Sequence, residues 1–184
     1  MATTAPRIAV VYASAQGSTR EIADFIGASL AARGATVEVA DAEHAPDPTR
    51  FDALILGSAV HDRALLPELE GFVRDHRHEL RARPVWLFSV GLGPALVGPI
   101  GHLMGRAVPK RIVEVRDAVM PRGYRAFAGH YERAGVSLPA RALYRLLGGH
   151  RYGDLRDWPA ITAWIDTVAQ ELKLPRPQAI PTHP

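Results

Sequence analysis

Ala9-Val10-Val11-Tyr12-Ala13-Ser14-Ala15-Gln16-Gly17-Ser18-Thr19 decides how the rest of the chain is read. It opens as a short apolar run with β-branched residues, the pattern of a buried strand. Small and polar residues interrupt it, and Ile22, Phe25, Ile26 and Leu30 then recur at helical spacing. The stretch therefore predicts a strand, a hydroxyl-rich loop and a helix that leaves the loop near Ser18. A helix start is an anion site: its first N–H groups have no intrahelical partner and its dipole favours negative charge. Ser14, Ser18 and Thr19 can add hydroxyl donors, and Gly17 allows a tight backbone beside a ligand. A phosphate is the ligand this pattern predicts; an ordinary strand-to-helix turn of small residues is the alternative.

The dinucleotide fingerprint needs three glycines and this loop has one; a Walker loop needs a lysine, and none is present. Neutral donors would carry the binding. In that respect the loop resembles the phosphate loop of flavodoxins, written S/T-x-T-G-x-T, which holds the monophosphate of FMN. Ser14, Gly17 and Thr19 match it, and Gln16 replaces the middle threonine.

Working outward, the 184 residues suit one domain over residues 1–174, followed by a proline-rich tail over 175–184. The chain has no cysteine, which excludes disulfides, thiolate catalysis and iron–sulfur ligation. Met1–Pro6 lacks the features of a signal peptide, so a cytoplasmic location is expected. The net charge of +3 is unevenly spread: ten Lys/Arg against three acidic residues between Arg106 and Arg151 leave +7 there and about −4 elsewhere. Such a segment suits an anionic partner or a solvated arginine-rich surface. No nucleic-acid motif accompanies the charge.

Alternating patterns predict further strands over 35–40, 51–57, 84–90 and 124–129, with loops over 58–63 and 89–94. Leu65, Leu66, Leu69, Phe72 and Val73 mark a helix. Asp157 and Pro159 open a final one that keeps Trp158, Ile161, Trp164, Ile165, Val168 and Leu172 on one face. The fold class is α/β: a doubly wound, five-stranded parallel sheet of order 2-1-3-4-5 with insertions after strands 4 and 5. Residues 84–105 carry no charge, but their five glycines and three prolines read as a strand and an irregular loop, not a membrane span. Ser137–Leu147 has helical spacing with Arg141 and Arg145 opposite the apolar positions. It reads as a short packed helix or as one that touches a membrane surface or a quinone at the inner face of the membrane. His76 and His78 at i, i+2 do not share a helix face, so no metal site is assigned.

Over most of its length the chain resembles the flavodoxin-like family that includes menaquinone-dependent protoporphyrinogen dehydrogenase. The resemblance rests on Tyr12–Thr19, Phe51–Val60, Phe127-Ala128-Gly129 and Arg156-Asp157-Trp158. It implies an FMN cofactor whose phosphate meets Ser14, Ala15, Gln16, Gly17, Ser18 and Thr19. Ser58, Ala59, Val60 and His61, with Ser89, Val90, Gly91, Leu92 and Gly93, would flank the ribityl chain and the flavin ring. It also implies electron transfer between a small-molecule substrate, such as a porphyrinogen, and a quinone-type acceptor. His61, Arg63, His130 and Tyr131 are the polar groups expected to face a substrate. Electron-carrying flavodoxins stack aromatic rings on the flavin from these loops, whereas His61 stands in the second loop and the third has no aromatic residue. An uncovered ring favours an enzyme working by two-electron transfer over a carrier, while Gln16 and the absent stacking rings leave a flavodoxin-fold binding module without FMN as a further alternative. No residue is assigned as catalytic.

Overall fold

The computed structural model describes residues 5–95, 108–131, 145, 153–177 and 183. Five parallel strands form the main sheet: β1 (Arg7–Ala13), β2 (Thr36–Asp41), β3 (Ala53–His61), β5 (Val85–Gly91) and β6 (Gly123–Ala128), in the order β2-β1-β3-β5-β6. Counting parallel strands only, this is the predicted order 2-1-3-4-5. The register runs from Ile8 opposite Ala53 to Ala13 opposite Ser58, and from Leu54 opposite Val85 to Ala59 opposite Val90. Ile8 through Val11 are buried on both faces, which explains why β1 reads as a continuous apolar run and not an alternating one.

Helices cover both faces. The first layer holds α1 (Ser18–Ala31) and the last helix, α5 (Trp158–Glu171), over Ile8, Val10, Ile55, Phe88 and Phe127. The second holds α2 (Pro67–Asp75), α3 (Arg77–Arg81) and α4 (Lys110–Val119) over Ala9, Val11, Leu54, Leu56 and Leu87. In the first layer Phe25 of α1 meets Trp158 of α5 edge to face at 5.2 Å. Arg33, whose side chain is buried, pairs with Asp166 of α5 and donates to the Ser29 carbonyl oxygen.

Two features differ from the sequence reading, and a third lies outside it. Residues 58–61 continue β3 instead of forming a loop, and a turn at Asp62-Arg63 brings β4 (Ala64–Leu65) back antiparallel on it. His76 is not inside a helix: it separates α2 from α3 and packs its ring on Phe72 at 4.8 Å. Leu174–Pro177 line a cavity of about 300 Å³ with α1 and α5, and His183 stacks on Trp158 at 5.0 Å. These described tail residues lie on the helical layer. The amphipathic stretch 137–147 falls outside the described residues except for Arg145. Among the described residues no helix is long and apolar enough to cross a membrane.

The cap of α5 is as predicted. Asp157 accepts a hydrogen bond from the Ala160 N–H at 3.0 Å, and proline occupies the first turn. Asp157→Ala is expected to lower unfolding free energy by about 1 kcal/mol, measured by urea denaturation.

Candidate functional site

The first loop is built around Gly17. Ser14 Oγ accepts the Gly17 N–H at 3.0 Å, and Gly17 takes φ +93°, a left-handed conformation that few other residues adopt without strain. The Gly17 carbonyl oxygen then accepts the Glu21 N–H at 3.0 Å and opens α1. Gly17 at the helix start has no side chain to cap it, and none caps it among the described residues. Thr19, wholly buried in the first turn, has a hydroxyl with no hydrogen-bond partner among the described residues. A buried hydroxyl without a partner is an uncompensated loss on folding, and a ligand oxygen would relieve it. Ala15 and Gln16 are exposed, and Ser18 is half-buried.

The second loop is the β3–β4 hairpin. Ser58 lies wholly buried; its Oγ donates to the Ala59 carbonyl oxygen at 2.8 Å and accepts the Leu66 N–H at 2.9 Å. That hydroxyl staples the hairpin to the start of α2. Asp62 and Arg63 both have positive φ, 47° and 63°, the geometry of a two-residue hairpin turn of the I′ kind. The turn leaves the His61 side chain 76% exposed, with Nε2 3.5 Å from an Asp62 carboxylate oxygen.

The third loop follows β5. Ser89 is buried and its Oγ lies 2.7 Å from the Tyr124 hydroxyl; burial pushes the Tyr124 hydroxyl above its ordinary pKa, and the bond to Ser89 opposes the shift. Val90 is buried, whereas Gly91, Leu92 and Gly93 are half-buried. Both Ser58 and Ser89 thus have committed hydroxyls, so these two loops offer a ligand main chain and apolar surface.

Beyond β6, Gly129 passes close over the first loop: a Cβ there would lie 3.0 Å from Ser18 Oγ and 2.9 Å from Val90. The chain then forms a small ribbon of β7 (His130–Tyr131) and β8 (Gly153–Asp154), with His130 opposite Asp154. Arg156 follows it, in contact with Asp154 and with Glu21 of α1. The four expected substrate residues therefore sit on two mounts: His61 and Arg63 on the hairpin, His130 and Tyr131 on the ribbon.

On the β2 side of the first loop a cavity of about 370 Å³ is lined by Tyr12, Ser14, Arg20, Asp41, Glu43 and Glu68. Asp41, Glu43 and Glu68 disfavour an anion on that side, and Arg20 offsets one of the three charges. Asp41, Glu43 and His44 bring possible metal-ligand atoms within 4.8 Å of one another. Asp41 already caps a helical turn there, accepting the His44 N–H at 3.0 Å, and the His44 hydrogen bond holds its carboxyl below the usual range.

Residues 9–98 match the family model described as the flavodoxin domain. The fold is flavodoxin-like. A Streptococcus pneumoniae TIGR4 flavodoxin superposes with TM-score 0.56 at 17% identity, over 91% of this chain and 97% of that one. The rubredoxin oxygen:oxidoreductase of Desulfovibrio gigas superposes with TM-score 0.57 at 14% identity; the overlap covers 92% of this chain but only 37% of that longer protein. An archaeal flavodoxin matches with TM-score 0.50 at 16% identity, over 87% and 99% of the two chains. No curated protein sequence matches.

The site's residues fit the FMN phosphate that the resemblance implies. The uncapped start of α1, the buried Thr19 hydroxyl and the left-handed Gly17 form a neutral donor cradle at the point where the strand order reverses. Sequence reading missed Glu21 and Asp154 as neighbours of this cradle.

Thr19→Val is expected to leave the apo chain as stable or about 1 kcal/mol more stable, while weakening FMN binding; urea denaturation and FMN titration check both. The Arg156 hydrogen bonds hold the Asp154 carboxyl below its ordinary pKa, against a smaller opposing effect of burial. That contribution is present above the ordinary carboxylate pKa of about 3.9 and is lost as pH falls through the lowered one. Asp154→Asn is therefore expected to flatten the acid side of the stability profile, read from melting temperature between about pH 5 and pH 2.

Proposed function

We propose that this chain is an FMN-dependent oxidoreductase that passes electrons between an organic substrate and a quinone-type acceptor, with a porphyrinogen as the substrate class that the resemblance implies. The observation that carries the cofactor assignment is the buried Thr19 hydroxyl, partnerless among the described residues, beside the uncapped start of α1. On this reading Ser14–Thr19 would hold the phosphate through neutral donors. The main chain of Ala59–His61 and Val90–Gly93 would orient the ring. FMN, when bound, supplies the redox chemistry, so binding and orientation are the protein's share.

The support for an enzyme over a carrier is what the hairpin presents. His61 is exposed at its tip, where a carrier would place a stacking ring, and its imidazole can exchange a proton with a substrate. Residues 137–147 belong to the same proposal as a membrane-surface or quinone contact, on the strength of their sequence pattern.

The test is direct. The purified protein is expected to bind FMN one to one and, under anaerobic photoreduction, to bleach straight to the fully reduced spectrum without long-wavelength absorbance. Persistent long-wavelength absorbance would make the chain a one-electron carrier; no flavin binding would leave a fold without the cofactor. Leu143→Glu is expected to reduce sedimentation with anionic vesicles, and binding equal to the parent's would remove the membrane contact.

A further inference from the structure

We propose that Arg156 is a positioning residue of the phosphate cradle, neutralising Glu21 in the first turn of α1 and bracing the loop after β6 against that turn; this rests on the reading of the cradle given above. Glu21 is the acidic residue in that turn. A carboxylate there is favoured by the helix dipole, but it competes with any phosphate for the same positive end. Arg20, the cation beside it in sequence, lies 3.7 Å from Asp24, with both side chains largely exposed.

Arg156 answers Glu21 from 135 residues away. Its guanidinium pairs with Glu21 and at the same time donates to both Asp154 carboxylate oxygens, at 2.7 and 2.8 Å. Its own N–H donates to Asp154 at 3.1 Å. The side chain is 6% exposed and lies over the Trp158 ring, 4.7 Å from its centroid. Trp158 in turn packs on Phe25, two turns along α1 from the loop. A fork held at this many points is rigid, unlike a surface ion pair.

The same segment holds the neighbouring loop. The Leu155 N–H donates to the Gly129 carbonyl oxygen at 3.2 Å, and Gly129 is the residue against Ser18. Arg156, Glu21 and Asp154 together carry −1, and −2 once the arginine is removed; His130 stands opposite Asp154 on the ribbon. Loss of Arg156 would leave an arriving phosphate facing two carboxylates deprived of their shared cation, one of them in the helix turn that should attract it. A merely structural ion pair would affect every ligand of the pocket alike. A positioning role would single out ligands that carry a phosphate.

The experiment compares the parent with Arg156→Ala, Arg156→Lys, Glu21→Gln and the double variant Arg156→Ala/Glu21→Gln. Affinities for FMN and for riboflavin are measured, together with the rise in melting temperature caused by inorganic phosphate. Arg156→Ala is expected to weaken FMN about tenfold and to leave riboflavin within about twofold, with Glu21→Gln restoring most of the loss. Equal losses for the two flavins, or no rescue in the double variant, would overturn the inference. Should Arg156→Ala not fold, Arg156→Lys and Glu21→Gln carry the test: a loss in Arg156→Lys confined to FMN supports the inference, and equal losses for both flavins, no loss for FMN, or tenfold weaker FMN binding in Glu21→Gln sinks it. If the parent takes no flavin, the function proposed above fails. The phosphate arm then still decides: stabilisation lost in Arg156→Ala and regained in the double variant supports Arg156, and no stabilisation of the parent overturns it.

Discussion

The amide groups at the start of α1 are the constraint around which the site is arranged. A helix leaves its first donors without intrahelical partners, and among the described residues no side chain supplies the acceptor. The surroundings preserve that shortage. Gly17 turns the chain so that the donors open outward, Ser14 spends its oxygen on the Gly17 N–H, and Gly129 crosses close enough to exclude a side chain. The sheet supports this by placing β1 at the reversal of strand order, where the loops after β1 and β3 diverge.

Polar groups near the loops divide into those that build and those that present. Ser58 and Ser89 are neighbours across β3 and β5, and both turn their hydroxyls to internal partners. Their contribution is shape: one closes the hairpin, the other ties β5 to β6 through Tyr124. What faces outward is main chain, the His61 imidazole and the Arg63 side chain. Asp41, Glu43 and Glu68 line the β2 side together with Arg20, whereas Glu21 and Asp154 share Arg156.

Local signals in the sequence were enough for much of this. The apolar run of β1, the small-residue loop and the helical spacing after Ser18 are contiguous, and the strand order follows from alternation of strands with helices. Asp157 and Pro159 announce α5 because capping chemistry is local. The β3–β4 hairpin was hidden because its turn uses Asp62 and Arg63, where glycine or asparagine would be the usual signal. Helix α4 was missed because Ile112, Val115 and Val119 are its only buried positions in a strongly charged stretch. The pairing of Glu21 with Arg156 depends on tertiary proximity, and no spacing rule reaches across 135 positions.

That separation has a consequence for biogenesis. The anion cradle begins within the first twenty residues, yet its flanking wall and its counter-charge are contributed by Gly129 and Arg156. Contacts this distant form only once the loop-closure entropy of the more than one hundred intervening residues has been overcome. A chain made only as far as β3 would hold a half-made cradle, without the wall at Gly129 or the counter-charge at Arg156.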